Sequence, residues 1–333
     1  MKKTKKYALL LMTTIIVLAL AACGSKNNSS SDTKDSNATE GKTYKVGITQ
    51  IVEHPSLNQA TKGFKAALKD AGLKVEYQTE IAQGDQSVNT TAANNLVGSG
   101  VDLIFANSTP SAQAVAAATS DIPIVFTSVT DAVGAELVKS MEKPGGNVTG
   151  TVDTHPDAIP NTVKFLSEQL GAKKVGMVFN SGEQNSRAQV DIAKKKAKKA
   201  GITIVEASAS TSAEVKQATE SLVGKVDAFY IITDNTVVSA LESVLDVAND
   251  KKIPVMVGEL DSVARGGLGA YGFNYYDIGY EAGQKAVEIL KNGKKPADIP
   301  VAYPTKLKLE INKTTADKID VDVKDEWKAE VVK

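Results

Sequence analysis

Cysteine, histidine and tryptophan are nearly missing from this chain of 333 residues, which has one Cys, two His and one Trp. A single Cys excludes an intrachain disulfide. With only His54 and His155 beside it, a zinc cluster is not expected either. Aromatic residues amount to 5%, so the core is aliphatic. There is no excess of either charge: 39 basic residues face 39 acidic ones. That balance tells against nucleic acid as a partner, and it assigns the lysines of 187–200 to a solvated helix face. No GxSxG, HExxH or phosphate-binding glycine loop occurs, and neither His lies in a nucleophile-elbow pattern. An enzyme, a metal and a cofactor are therefore not expected.

A long apolar run occurs at 8–20, too short for a spanning helix of about 20 residues. Lys2, Lys3, Lys5 and Lys6 precede it, and Leu20-Ala21-Ala22-Cys23 follows. This resembles a bacterial lipobox. It predicts a signal peptide over 1–22 and lipidation of Cys23, whose acyl chains anchor the protein to the extracellular face of the cell membrane. Cleavage removes four lysines and no acid, leaving a formal charge of −4. Residues 24–41 have no large apolar side chain and are rich in Ser, Asn and Asp. Such a segment cannot offset its ordering entropy, so 23–42 is expected to be a flexible tether.

The remainder repeats itself. A strand at 101–106, a polar turn at 107–110 and a helix from about Ser111 are echoed by a strand at 228–233, a turn at 233–235 and a helix. Flanking strands at 45–50 and 122–126 are echoed at 174–179 and 253–257. The offset of about 125–131 residues is the size of a domain. Strands alternating with helices predict an α/β protein of two similar, doubly wound parallel-sheet lobes joined by crossover hinge strands. Lobe one is assigned 43–150 plus 274–300, and lobe two 151–273 plus 301–333. The strand at 148–153 is read as the first crossing, 271–274 as the second, a helix at 278–290 as returning to lobe one, and 305–310 as a late strand. The hinge is expected near Thr151, Phe273 and Tyr303.

In open α/β sheets ligands bind beyond the carboxyl ends of the strands. Here those ends are 50–58, 107–109 and 127–131 in lobe one, and 180–186, 234–236 and 258–261 in lobe two. They are rich in Asn, Ser, Thr, Asp and Glu and almost free of Lys and Arg. A polyanion would need basic groups, and a sugar commonly needs stacking rings, so a small zwitterion fits better. Its carboxylate would meet the hydroxyls and N–H groups of Ser108, Thr109, Ser111, Thr127 and Ser128. Its ammonium would meet Asp234 or Glu259. Glu53 and Tyr276 complete the candidates, Tyr276 as part of an aromatic wall at the crossing. Each has a plainer role open to it: Ser108, Thr109 and Asp234 as helix caps, Glu53 as a surface residue, Tyr276 as hinge packing.

These features together resemble a known family. The lipobox at Cys23, the tether, the repeated lobes, and the stretches KVGITQIVEHPSLNQATKGF, DLIFANSTPSAQA, IPIVFTSVTDAVGAELV, PGGNVTG and DNTVVSAL are similar to the tryptophan/tyrosine-type branch of ABC-transporter substrate-binding lipoproteins. The resemblance covers 45 to about 318. It implies a type I periplasmic-binding-protein fold and a monomer that captures an amino acid, with an aromatic one expected, and delivers it to a permease driven by a separate ATPase. The family's cleft motifs fall on Glu53, Asn107, Ser108, Thr109, Thr127, Ser128, Asp234, Asn235 and Glu259. An aliphatic amino acid, a nucleoside or a sugar, bound by an importer component or a sensor, is the alternative.

Overall fold

The computed structural model describes residues 41–333. The signal peptide, Cys23 and nearly all of the expected tether lie outside the described residues.

The first half builds β1 (Thr43–Gln50), α1 (Pro55–Asp70), β2 (Lys74–Ile81), α2 (Gln86–Gly98), β3 (Leu103–Asn107), α3 (Thr109–Ala118), β4 (Ile124–Val129) and β5 (Val148–Val152). Their sheet is entirely parallel, in the order β2-β1-β3-β4-β5. β3 and β4 are buried at every position, because helices cover both faces of a parallel sheet. α1 places Leu57, Ala60, Phe64, Ala67 and Leu68 on one buried face. Phe64 stacks on Phe105 of β3 with ring centroids 3.9 Å apart.

The second half builds α4 (Ala158–Glu168), β6 (Lys174–Phe179), α5 (Gln184–Lys199), β7 (Thr203–Ser208), α6 (Val215–Glu220), β8 (Ala228–Ile231), α7 (Asn235–Ser239), α8 (Leu241–Asp250), β9 (Val255–Val257), α9 (Leu260–Ala264) and β10 (Gly269–Gly272). The chain then forms α10 (Tyr275–Leu290), β11 (Lys308–Asn312), α11 (Lys313–Lys318) and β12 (Glu330–Val332). The second sheet runs β12-β11-β10-β9-β8-β6-β7, parallel except where β11 pairs antiparallel with β10. The repeat is thus two α/β lobes with the predicted strand–helix alternation.

Four details differ from the sequence reading. The strand read as the first crossing is β5, an edge strand of the first sheet paired with β4, so the chain leaves that lobe after Val152. One helix expected after residue 235 breaks at Ala240 into α7 and α8. The strand read at 305–310 is β11, over Lys308–Asn312. The helix expected from Ile278 starts at Tyr275, where Asn274 caps it by accepting from Tyr276 N at 2.9 Å. α10 packs along α1 and against β4 and β5, returning the chain to the first lobe. The contact is so close that a Cβ on Gly279 would stand 1.9 Å from the Ala60 carbonyl oxygen.

Candidate ligand-binding cleft

The carboxyl ends of the two sheets face each other. In lobe one, Asn107 ends β3 with its side chain fully buried. Its amide donates to Leu57 O at 2.7 Å, Thr61 Oγ1 at 2.9 Å and Gln50 Oε1 at 3.1 Å, while Oδ1 has no partner. Asn107 therefore ties the end of β1 and the first turns of α1 to β3. Ser108 caps α3, with Ser111 N 3.4 Å from its Oγ. Its φ of 111° and the φ of 55° at Ser128 lie where L-residues rarely go. Ser128 Oγ is buried without a partner. Two strained serines at adjacent strand ends, one with an unused hydroxyl, mark a place held in shape for something other than packing. Thr109 Oγ1 accepts weakly from Thr130 N at 3.4 Å. Thr127 points elsewhere: its hydroxyl meets Thr151 Oγ1 at 2.8 Å, and Thr151 donates to Ile278 O at 3.0 Å, binding the sheet to α10.

In lobe two, Asp234 is fully buried and consumed by its own lobe. It accepts from Val237 N at 2.7 Å as the cap of α7, and from Asn180 N at 2.7 Å and Ser186 Oγ at 2.6 Å. Burial and the neighbouring Glu183 carboxylate push its carboxyl up. Glu183 is also buried, accepting from Asn235 Nδ2 at 2.5 Å, Asn185 Nδ2 at 3.0 Å and Thr236 Oγ1 at 3.0 Å. Asn235 thus fixes Glu183, and Asn185 Oδ1 is left buried and unpartnered. Gln189 brackets Thr233 through both ends of its amide and reaches Thr130 Oγ1 of lobe one at 3.4 Å.

The lobes meet most closely at Glu259. Ser56 Oγ, at the start of α1, lies 2.6 Å from Glu259 Oε2 and 2.9 Å from Asp261 Oδ2. One hydroxyl proton satisfies one of these carboxylates, so the second contact calls for a proton on a carboxyl group. The environment agrees: burial, then the charges of Asp261 and Asp153, push Glu259 up to about 7. Asp153, on the first crossing, accepts from Tyr275 Oη at 2.9 Å and Thr130 Oγ1 at 3.2 Å, and burial pushes it up to about 6. Among the described ion pairs none involves Asp153, Asp234, Glu183 or Glu259. The nearby Arg265 is spent on a two-pronged pair with Glu242. His54, buried beside that arginine, is driven down to about 3 and stays neutral. The cleft is therefore acidic, desolvated and without a cation of its own. A cavity of about 20 Å³ at its hinge side is lined by Asp153, His155, Gln189, Tyr230, Tyr271 and Phe273.

Set against the sequence reading, Asn107, Ser108, Thr109, Thr127, Ser128, Asp234, Asn235 and Glu259 are all buried where the two sheets end. Two candidates are not. Glu53 is exposed, and the buried residue of its loop is the adjacent His54. Tyr276 is half-buried and stacks on Tyr280, whereas Tyr275 is the fully buried ring that reaches Asp153. Neighbours on a helix point about 100° apart, and α10 starts early enough to separate these two. Asp153, Ser56, Glu183 and Gln189 were absent from the candidates. Ser56 and Glu183 lie in turns already recognised as polar. Asp153 was hidden inside a segment read as backbone crossing.

The chain matches the family model described as ABC transporter substrate binding protein over residues 45–332. It is 45% identical over 300 residues to a tyrosine-binding protein of Clostridioides difficile, covering 88% of this chain and 86% of that one. Among solved structures it is similar to an ABC domain in complex with L-Trp from Streptococcus pneumonia, at 33% identity and a TM-score of 0.82, covering 87% of this chain and 100% of that one. It is also similar to the ligand-free, open structure of a substrate-binding protein with adhesive properties from Clostridium difficile, at 40% identity, covering 87% of this chain and 99% of the other. There the TM-score is 0.65. Sugar-binding proteins at 17% identity or less share the type I periplasmic-binding-protein-like fold. The chain is a member of the ABC transporter substrate-binding protein family, with two parallel-sheet α/β lobes of the type I fold.

Proposed function

We propose that this protein captures an aromatic amino acid between its lobes and delivers it to the permease of an ABC importer. The observation that carries the reading is the pair of buried carboxylates, Asp153 and Glu259, at the inter-lobe contact with no basic partner. Two desolvated carboxylates without a cation favour a ligand that brings one. An α-ammonium does so, and it gains most when both lobes surround it, which couples binding to closure. The ligand's carboxylate goes to the start of α3 and the unused hydroxyl of Ser128, where N–H groups and oxygen donors converge. Its ring goes toward Tyr230, Tyr271 and Phe273, where the space of about 20 Å³ has to widen as the ligand enters. The similarity to a protein named for tyrosine and to one crystallised with L-Trp supports the aromatic preference. Asp234, saturated by three donors of its own lobe, is assigned to holding α7 rather than the ammonium.

In the same reading Cys23 is lipidated after removal of 1–22, the protein hangs from the outer face of the membrane as a monomer, and a separate ATPase powers the permease.

The test is a thermal-shift screen followed by calorimetry on protein unfolded and refolded to strip bound ligand. The panel is the twenty amino acids, several sugars and several nucleosides. A ligand at a hundredfold excess over Kd stabilises the native state by about 2.7 kcal/mol. Shifts with Tyr, Trp or Phe are expected. Shifts with Leu, Ile or Val alone would move the pocket to aliphatic side chains, and shifts with sugars or nucleosides alone would overturn the zwitterion assignment.

A further inference from the structure

On the hinge side of α10, away from the cleft, the protein has a cavity of about 430 Å³. That is well within the roughly 300–1,000 Å³ of small-molecule sites. Its floor is one face of α10: Tyr276, Asp277, Tyr280 and Glu281. Its walls are Phe273, just after β10, and Pro304 and Lys306, on the segment that leads from α10 to β11. The rings of Tyr276 and Tyr280 stack with centroids 6.2 Å apart and planes 25° from parallel. Tyr280 Oη is held by Asp70 of α1 at 3.1 Å. The floor is rigid, because a Cβ on Gly63 of α1 would stand 2.1 Å from the Tyr276 carbonyl oxygen.

The charges on this cavity are of both signs and are not spent on each other. Among the described ion pairs none involves Asp277, Glu281 or Lys306. A ring platform flanked by unpaired carboxylates on one side and an unpaired ammonium on the other is complementary to an aromatic zwitterion. The ring lies on Tyr276 and Tyr280, the cationic group meets Glu281 and Asp277, and the anionic group meets Lys306.

We propose that this hinge cavity is a second binding site, for an aromatic zwitterion, distinct from the inter-lobe cleft. It shares Phe273 with the hinge side of the cleft and otherwise rests on residues of its own, not on the ligand assigned to the cleft. Because α10 belongs to the first sheet's lobe while Pro304 and Lys306 lie on the crossing to the second, the site's shape depends on the hinge. Occupancy is therefore coupled to opening and closing, and by linkage each site alters the affinity of the other.

The experiment uses the full chain labelled with 3-fluorotyrosine and titrated with L-tryptophan, read by fluorine NMR. Resonances of Tyr271, Tyr275, Tyr276 and Tyr280 are assigned from single Tyr→Phe variants. The expected result is two isotherms, one at Tyr271 and Tyr275 for the cleft, and a separate saturable one at Tyr276 and Tyr280. Lys306→Ala and Glu281→Gln each weaken the second isotherm about threefold or more, as loss of one exposed charge contact does, and shift the cleft isotherm by less, through the linkage alone. The proposal is overturned if the Tyr276 and Tyr280 resonances do not move, or move only in step with the cleft resonances in wild type and both variants. Movement at Tyr276 and Tyr280 with none at Tyr271 and Tyr275 would sink the aromatic assignment of the cleft and leave this site standing.

Discussion

Single side chains decide what the cleft can hold, and two of them separate shape from affinity. Ser128 sits at φ 55° with its hydroxyl buried and unpartnered. A left-handed backbone costs an L-residue about 1–2 kcal/mol, of which glycine recovers most while losing about 0.5–1 kcal/mol in chain entropy. Ser128→Gly is thus expected to raise stability by about 0.5–1 kcal/mol in urea titrations while weakening the preferred amino acid several-fold by calorimetry, through loss of one hydrogen bond worth about 1 kcal/mol. If affinity is unchanged, the hydroxyl is not a ligand contact. Asp234 gives the opposite pattern. It satisfies three donors inside its lobe. Asp234→Ala is expected to cost about 2–4 kcal/mol of stability by leaving buried donors unsatisfied and removing a cap. If the variant keeps wild-type stability and loses binding selectively, Asp234 holds the ligand after all.

Among the elements, the pairing of α1 with α10 carries the architecture, because it fastens a late segment of the chain onto the first lobe. Its closeness comes from two glycines, Gly63 on α1 and Gly279 on α10, each without room for a methyl group against backbone atoms of the other helix. Backbone cannot yield as a flexible side chain can, so the helices must separate. Gly279→Ala is expected to destabilise by about 1–3 kcal/mol, the usual range for overpacking, measured by chemical denaturation. A neutral outcome would mean that the helices slide freely and do not set the hinge. Phe64, Ala67 and Leu68 stand at helical spacing in the sequence itself, and α1 buries all three on one face. The start of α10 was not, because its cap Asn274 stands beside an aromatic cluster that reads equally well as a strand crossing.

At the scale of the whole molecule, Glu259 and Asp153 are buried together at the contact between the lobes, and if the lobes open and close as proposed, closure depends on pH with a definite sign. Burial raises both carboxyl groups, to about 7 and about 6, so the closed form binds protons more tightly than a form in which they meet water. The resulting preference for the closed form is complete below the ordinary carboxylate range of about 4 and is lost as pH rises through about 6–7. Ligand-free protein is therefore expected to be more compact in small-angle scattering at pH 5 than at pH 8, and Glu259→Gln to flatten that dependence. An ammonium ligand supplies the missing charge, so the saturated protein stays compact at both pH values. A ligand-free radius that does not change with pH would show that these carboxylates do not govern closure.

The chain by itself determined the aliphatic core, the strand–helix alternation, the duplication of the lobe and the polar character of the strand ends. All of these are local patterns of apolar spacing and turn chemistry, and they persist whatever the chain packs against. It also marked eight buried residues of the cleft, because a strand end in a parallel sheet is recognisable from its own neighbours. What those residues do was decided only by tertiary structure. Asp234 and Glu259 look alike in sequence, each a carboxylate just past a buried strand, yet one is saturated by its own lobe and the other meets Ser56 of the opposite lobe, 203 positions away. Asp153 and Tyr275 become partners across 122 positions. Hydrogen-bond partners and burial depend on what comes within 3 Å in space, and no local pattern encodes that for residues so far apart.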